Sequence, residues 1–146
     1  MKLTFKGDYA LKAVLDLATR YGQGVVTIHE MAERIDAPVK FLEQILFDLK
    51  RGGFIESRRG NAGGYLLGKP PRDITVGDIV RFVDGPIEPI ACVNCTYTEC
   101  RDLANCVFKN LWQRVFQATS EIVDTVNFED LASQASLAQN TFSYAI

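Results

Sequence analysis

With 146 residues, 47% of them apolar, the chain can form one compact domain with at most a small appendage, and no apolar run reaches the length of a membrane span. The formal net charge of -2 neither favours nor excludes nucleic acid, but its distribution is uneven: residues 1–82 hold 13 Lys and Arg against 10 Asp and Glu, whereas residues 83–146 hold 3 against 8. The first part is therefore the candidate polyanion-binding half. The start, Met1-Lys2-Leu3-Thr4, carries no apolar signal segment, so a reducing cytoplasm is the expected compartment and structural disulfides are disfavoured.

From Asp8 to Tyr21, Leu11, Val14, Leu15 and Ala18 recur at helical spacing and Gly22 stops the run, which predicts a first helix with Asp8 in the N-cap position. Thr27-Ile28-His29-Glu30 reads as a capping box, opening a short helix that ends at Asp36-Ala37-Pro38. His29, the one histidine, reads as a surface residue near that helix start. A second helix after Pro38 turns Leu42, Ile45, Leu46 and Leu49 inward and closes at Gly52-Gly53. Two short helices joined by a tight turn form a helix-turn-helix. Val39, Lys40, Glu43, Gln44 and Phe47 then lie on the other side of the second helix.

Residues 54–59 read as a strand, Gly60-Asn61-Ala62-Gly63-Gly64 as a hairpin loop, and Tyr65-Leu66-Leu67 as the returning strand, so that a wing follows the helix pair. Between positions 50 and 72, Lys50, Arg51, Arg58, Arg59, Lys69 and Arg72 face a single acid, Glu56. A solvated basic surface is the plain reading. The DNA-binding reading takes Thr27, Val39, Lys40, Glu43, Gln44, Lys50, Arg51, Arg58, Arg59, Asn61, Gly63, Gly64 and Tyr65 as contacts, with Gln44 on an adenine edge and Arg58 or Arg59 in a narrow minor groove.

After Pro70-Pro71, Thr75 caps a helix bearing Val76, Ile79, Val80, Phe82 and Val83. Four cysteines, Cys92, Cys95, Cys100 and Cys106, then fall within one loop that has few large apolar side chains, so thiolates converging on a metal centre would supply its ordering energy. Spacing alone leaves a zinc site and an iron–sulfur cluster both open. A redox enzyme built on Cys92-x2-Cys95 is disfavoured, because no βαβ pattern surrounds the pair. A long helix follows to about Val126, with Phe108, Trp112, Val115, Thr119, Ile122 and Val126 at coiled-coil spacing and Leu111, Phe116 and Val123 widening the stripe. Such a face is expected to pair with a second copy of the chain; folding back onto its own domain is the competing reading. Asn127 caps a short turn through Leu131, and a polar, mobile tail is expected beyond it.

This order of parts resembles the iron–sulfur winged-helix regulators of the Rrf type, the IscR-, NsrR- and RirA-like group. The resemblance runs from Met1 through Phe128-Glu129-Asp130-Leu131 and is carried by Tyr9-Ala10-Leu11, Phe41-Leu42-Glu43-Gln44-Ile45-Leu46, Arg59-Gly60 with Gly63-Gly64-Tyr65-Leu66-Leu67, and Cys100-x5-Cys106 leading into Leu111-Trp112. It implies a mainly α fold with a small β-hairpin: a winged helix-turn-helix DNA-binding domain (1–84), a cysteine-bearing cluster loop (85–106), a dimerisation helix (107–131) and a flexible tail (132–146). It implies a homodimeric, non-enzymatic transcription factor on a pseudo-palindromic operator in double-stranded DNA. Operator affinity would follow an iron–sulfur cluster of two or four irons, held by Cys92, Cys100 and Cys106. IscR-like members place a histidine three residues after the last cysteine, where this chain has Lys109. The fourth ligand is then Cys95, or Asp8 of the partner subunit, which matches an aspartate used by NsrR-like members. The alternative is a zinc-bound or cofactor-free winged-helix repressor that senses a thiol or a small metabolite.

Overall fold

The computed structural model describes residues 1–94 and 96–144, and in it most of the winged head packs around α1 (Phe5–Thr19). Ala10, Ala13, Val14, Leu17 and Ala18 form its buried face. Three of these five are alanines, which lets α2 (Ile28–Ile35), α3 (Val39–Arg51), α4 (Val76–Asp84) and α6 (Phe128–Tyr144) approach its backbone closely. The N-cap is Thr4 rather than Asp8: the Thr4 hydroxyl accepts from the Gly7 N–H at 3.0 Å. Asp8 lies one residue position past that first bond and pairs with Lys12 at 2.8 Å on the helix surface. Local sequence pattern favours the acid, but Thr4 also donates its N–H (3.0 Å) and its hydroxyl (2.5 Å) to the Asp84 carboxylate at the end of α4, which fixes the helix start there.

Thr27 and Glu30 form the expected capping box at α2. The α2 and α1 helices are joined by the buried Asp16, which receives Arg34 Nε at 2.8 Å and Nη2 at 2.9 Å, and Arg20 Nη1 at 3.1 Å. The turn into α3 passes through Asp36 at φ 52°, a left-handed position that a short polar side chain tolerates. In α3 the four predicted inward residues, Leu42, Ile45, Leu46 and Leu49, are fully enclosed. The wing pairs β1 (Ile55–Arg58) with β2 (Gly64–Leu67), Ile55 opposite Leu67 and Arg58 opposite Gly64. A further rung absent from the sequence pattern joins Val26 to Tyr65, with N–H···O distances of 2.8 and 2.7 Å, and so ties the wing to the entry of α2. A side chain at Gly64 would collide with the Val26 carbonyl.

α5 (Lys109–Thr125) runs back along α4, and its end is fastened to the start of α4. Val76 donates its N–H to the Val126 carbonyl at 2.9 Å, Phe128 to the Ile74 carbonyl at 3.0 Å, and Arg81 grips both oxygens of Asp124, one at 2.5 Å and the other at 3.0 Å. Gly77 leaves the room that the Arg81 and Asp124 side chains fill.

The largest departure from expectation lies beyond Leu131. The segment predicted to be a short turn and a loose tail is the helix α6, equal in length to α5 at 17 residues. Asn127 caps it as expected, accepting from the Asp130 N–H at 2.9 Å. Phe128 (1% exposed) and Ala132 then enter the main core against α1. The polar residues that suggested mobility, Ser133, Gln134 and Ser136 among them, form its outer face. Replacing Phe128 by Ala is therefore expected to lower stability by about 3–5 kcal/mol in urea unfolding, and a loss below about 1 kcal/mol would show that α6 does not belong to the core.

Candidate functional site

The outer side of α3 carries Lys40, Glu43, Gln44, Phe47, Lys50 and Arg51, all exposed. Val39 departs from the expected contact set: it is half-buried and packs against the core. Three of the outward side chains are committed to neighbours. Lys50 Nζ donates to Ser57 Oγ at 2.6 Å and thereby links α3 to β1. Gln44 Nε2 donates to Asp48 Oδ1 at 3.3 Å, and the same carboxylate receives Lys6 Nζ at 2.7 Å and Arg51 Nη2 at 3.4 Å. The Lys6 hydrogen bond, more than Gln44 or Arg51, holds the Asp48 carboxyl below its ordinary value despite burial. Arg51 also stands 5.9 Å from the centre of the Phe47 ring.

The wing presents Arg58, Arg59 and Asn61 to solvent. Its base and the start of α2 enclose a shallow cleft of about 330 Å³, lined by Thr27, Ile28, Ser57, Arg58, Arg59, Gly63, Gly64 and Tyr65. Six of the thirteen expected contacts are thus gathered in one concavity beside α3. At Gly63 a β-carbon would meet the Arg58 and Gly60 carbonyl oxygens, so only glycine lets the wing tip close. The exposed Thr27 is occupied with capping α2, its hydroxyl bonded to Glu30.

The second candidate centre is the segment between α4 and α5. Ile87 anchors its beginning against Val80 and Val123. After that, the described residues form one 3-10 turn, Ala91–Val93, an Asx turn in which Asn94 Oδ1 accepts from the Thr96 N–H at 3.0 Å and the Thr96 hydroxyl at 2.8 Å, and a turn over residues 101–105 in which Asn105 donates its N–H to the Asp102 carbonyl at 3.0 Å. Cys92 and Cys106 are half-buried and Cys100 is exposed, all as free thiols. Cys95 lies outside the described residues. A cleft of about 430 Å³ opens beside Cys92, lined also by Asn94, Tyr97, Leu103, Lys109 and Gln113. Lys109, in the position where a histidine would be a ligand, instead donates Nζ to the Leu103 carbonyl at 3.4 Å.

Among the described residues no three His, Cys, Asp or Glu side chains stand close enough to hold one ion. The donor chemistry still fits a thiophilic centre: the three thiols are unpaired, reachable from solvent and outside the core. Asp8, the other candidate ligand, is bound to Lys12 on the α1 surface.

α5 divides its apolar residues between two directions. Val123 packs inward against Val80 and Ile87, so that part of the predicted stripe folds back onto its own chain. Phe108, Leu111, Val115 and Ile122 (65% exposed) face solvent, Trp112, Phe116 and Thr119 are half-buried, and Val126 is used as the backbone partner of Val76. The described residues contain no helix long and apolar enough to cross a membrane.

A family model described as "Rrf2: Iron-dependent Transcriptional regulator" matches residues 3–134. The chain belongs to the Rrf2 family. A putative rrf2-like HTH-type transcriptional regulator of Rhodobacter capsulatus is 39% identical over 136 residues, 88% of this chain and 91% of its own length. CymR of Bacillus subtilis is 34% identical over 146 residues, the full length of both chains. Its solved structure, described as that of the global cysteine regulator, superposes with a TM-score of 0.79 over 92% of this chain and 98% of CymR. The structure of T. potens IscR superposes at 0.75, with 33% identity, over 95% of this chain and 91% of IscR. This Rrf2 protein is accordingly a winged-helix transcriptional regulator, and not an enzyme.

If the wing arginines meet phosphate or a minor groove, Arg58→Ala and Arg59→Ala are each expected to weaken DNA binding and to reduce the slope of log affinity against log salt by about one. Titrations of labelled duplex at several salt concentrations check this, and an unchanged slope in both variants would remove the wing from the interface.

Proposed function

We propose that this Rrf2 regulator is a cytoplasmic homodimer that binds a pseudo-palindromic operator and that an iron–sulfur cluster on the thiol loop sets its affinity. The recognition elements are α3 and the wing, with Lys40, Glu43 and Gln44 at base edges and Arg58, Arg59 and Asn61 along the backbone or minor groove. The observation that carries the reading is the set of free thiols, Cys92, Cys100 and Cys106, on a segment with little packing of its own between the head and the α5 face. Cys95 of the same loop or Asp8 of the partner subunit would complete the ligand set.

When bound, a cluster supplies a redox- and oxygen-sensitive crosslink between thiolates. The chain's own residues convert loop order into head position. Ile87 transmits the loop to α4, Val123 receives it on α5, and the Arg81–Asp124 pair holds the two helices in register. Phe108, Leu111, Val115 and Ile122 would pack against a second copy, so a change in α5 tilt changes the separation of the two α3 helices. Such a mechanism requires the cluster to favour one dimer shape over another.

A second reading is favoured by the full-length likeness to B. subtilis CymR, described as a global cysteine regulator. In it the loop thiols bind zinc or no metal, and affinity follows a thiol or small metabolite. Isolation without oxygen separates the two. The cluster reading expects brown protein with iron and acid-labile sulfide, both lost when Cys92, Cys100 or Cys106 is replaced by Ser. Colourless protein with zinc or no metal would overturn it in favour of the second.

A further inference from the structure

Asp48 is an unusual residue to find on a helix meant for a polyanion. It is 8% exposed, and its carboxylate gathers Lys6 from α1 and both Gln44 and Arg51 from its own helix. We propose that Asp48 is a positioning residue for base readout: it fixes which end of the Gln44 amide is turned toward the DNA. The proposal rests on the reading of Gln44 as a base contact.

Gln44 and Asp48 are four positions apart and therefore neighbours on one face of α3. An ionised carboxylate only accepts hydrogen bonds, so it can hold the nitrogen end of the amide and never the oxygen end. Gln44 Oε1 and the second N–H are then left for the groove. That pair matches the donor N6 and acceptor N7 of adenine. A free glutamine would sample other rotamers and the flipped amide, and its preference for adenine would be diluted accordingly. The Lys6 contact at 2.7 Å compensates the buried charge and comes from α1, so the carboxylate is set by the rigid head and not by the DNA.

A plain staple between α1 and α3 would account for the Lys6–Asp48 pair but not for the Gln44 contact, and the two roles give different binding patterns. Wild-type protein, Q44A, D48A, D48N, K6M and Q44A/D48A would be incubated with a randomised duplex library. The bound DNA would be sequenced, and affinities for the four base variants at the position lost in Q44A measured at one salt concentration. Thermal unfolding checks that each variant is folded, and D48M replaces D48A if the latter is not.

Wild type is expected to favour one base by about tenfold at that position. D48A is expected to reduce this to below about threefold there alone and to add nothing in the Q44A background. D48N, which keeps an acceptor for the amide, and K6M, which breaks only the staple, are expected to retain most of the preference. A folded D48A or D48M protein with full preference overturns the proposal, as does loss spread over all positions or equal loss in K6M. If Q44A itself changes no base preference, Gln44 is not a reader and Asp48 has nothing to position; that result fails the premise and is distinct from the others.

Discussion

The junction between the end of α5 and the start of α4 constrains the whole molecule. Two backbone hydrogen bonds, Val76 to Val126 and Phe128 to Ile74, and the two-pronged Arg81–Asp124 pair close one end of an antiparallel helix pair. The ion pair is largely exposed and adds little stability by itself. Its contribution is geometric, because a guanidinium held at both oxygens of one carboxylate permits few relative orientations. Asp84 fastens the other end of α4 to Thr4 at the start of α1. The head, α4 and the closed end of α5 therefore move together, and the open end of the pair is where the thiol loop is attached. Under the proposed mechanism a reorganisation of that loop would act on the inclination of α5.

The head shows how much of such an arrangement can be read from a sequence. Capping at Thr27 and Thr75 is local chemistry within four residues, and the inward stripe of α3 is a repeat of period 3.6, so both are visible without coordinates. The Thr4 cap is not, because its preference over Asp8 comes from Asp84, 80 residues away. Neither is the Val26–Tyr65 rung, a single pair with no alternation to announce it. α6 was hidden for another reason: half of its contact face, Ala132 and Ala135 beside Phe128 and Leu131, is made of small side chains, which draw no clear apolar stripe against Ser133, Gln134 and Ser136.

The candidate sites divide in the same manner. The wing residues cluster because a hairpin places them together whatever the rest of the chain does, and the cleft at its base contains the predicted glycines and arginines. On α3 the pattern identified which residues face outward but not how they are held. Gln44 and Arg51 lie one helical turn from Asp48, but Lys6 is 42 positions away, and nothing local marks it as the partner that holds the carboxylate. On α5 the heptad spacing suggested one seam, whereas Val123 turns to its own α4 and Leu111, Val115 and Ile122 turn away. The stripe is wide enough to face two directions, and sequence spacing alone does not divide it.

Whether order in the thiol loop sets the grip on DNA is decided by one comparison. Operator affinity is measured without oxygen, at one salt concentration, for protein loaded with metal and for the same preparation after the metal is removed. A difference of about fivefold or more is expected if the loop is coupled to the recognition helices. Equal affinities would leave a DNA-binding regulator whose thiol loop has no bearing on its grip, contrary to the mechanism argued from the α4–α5 junction.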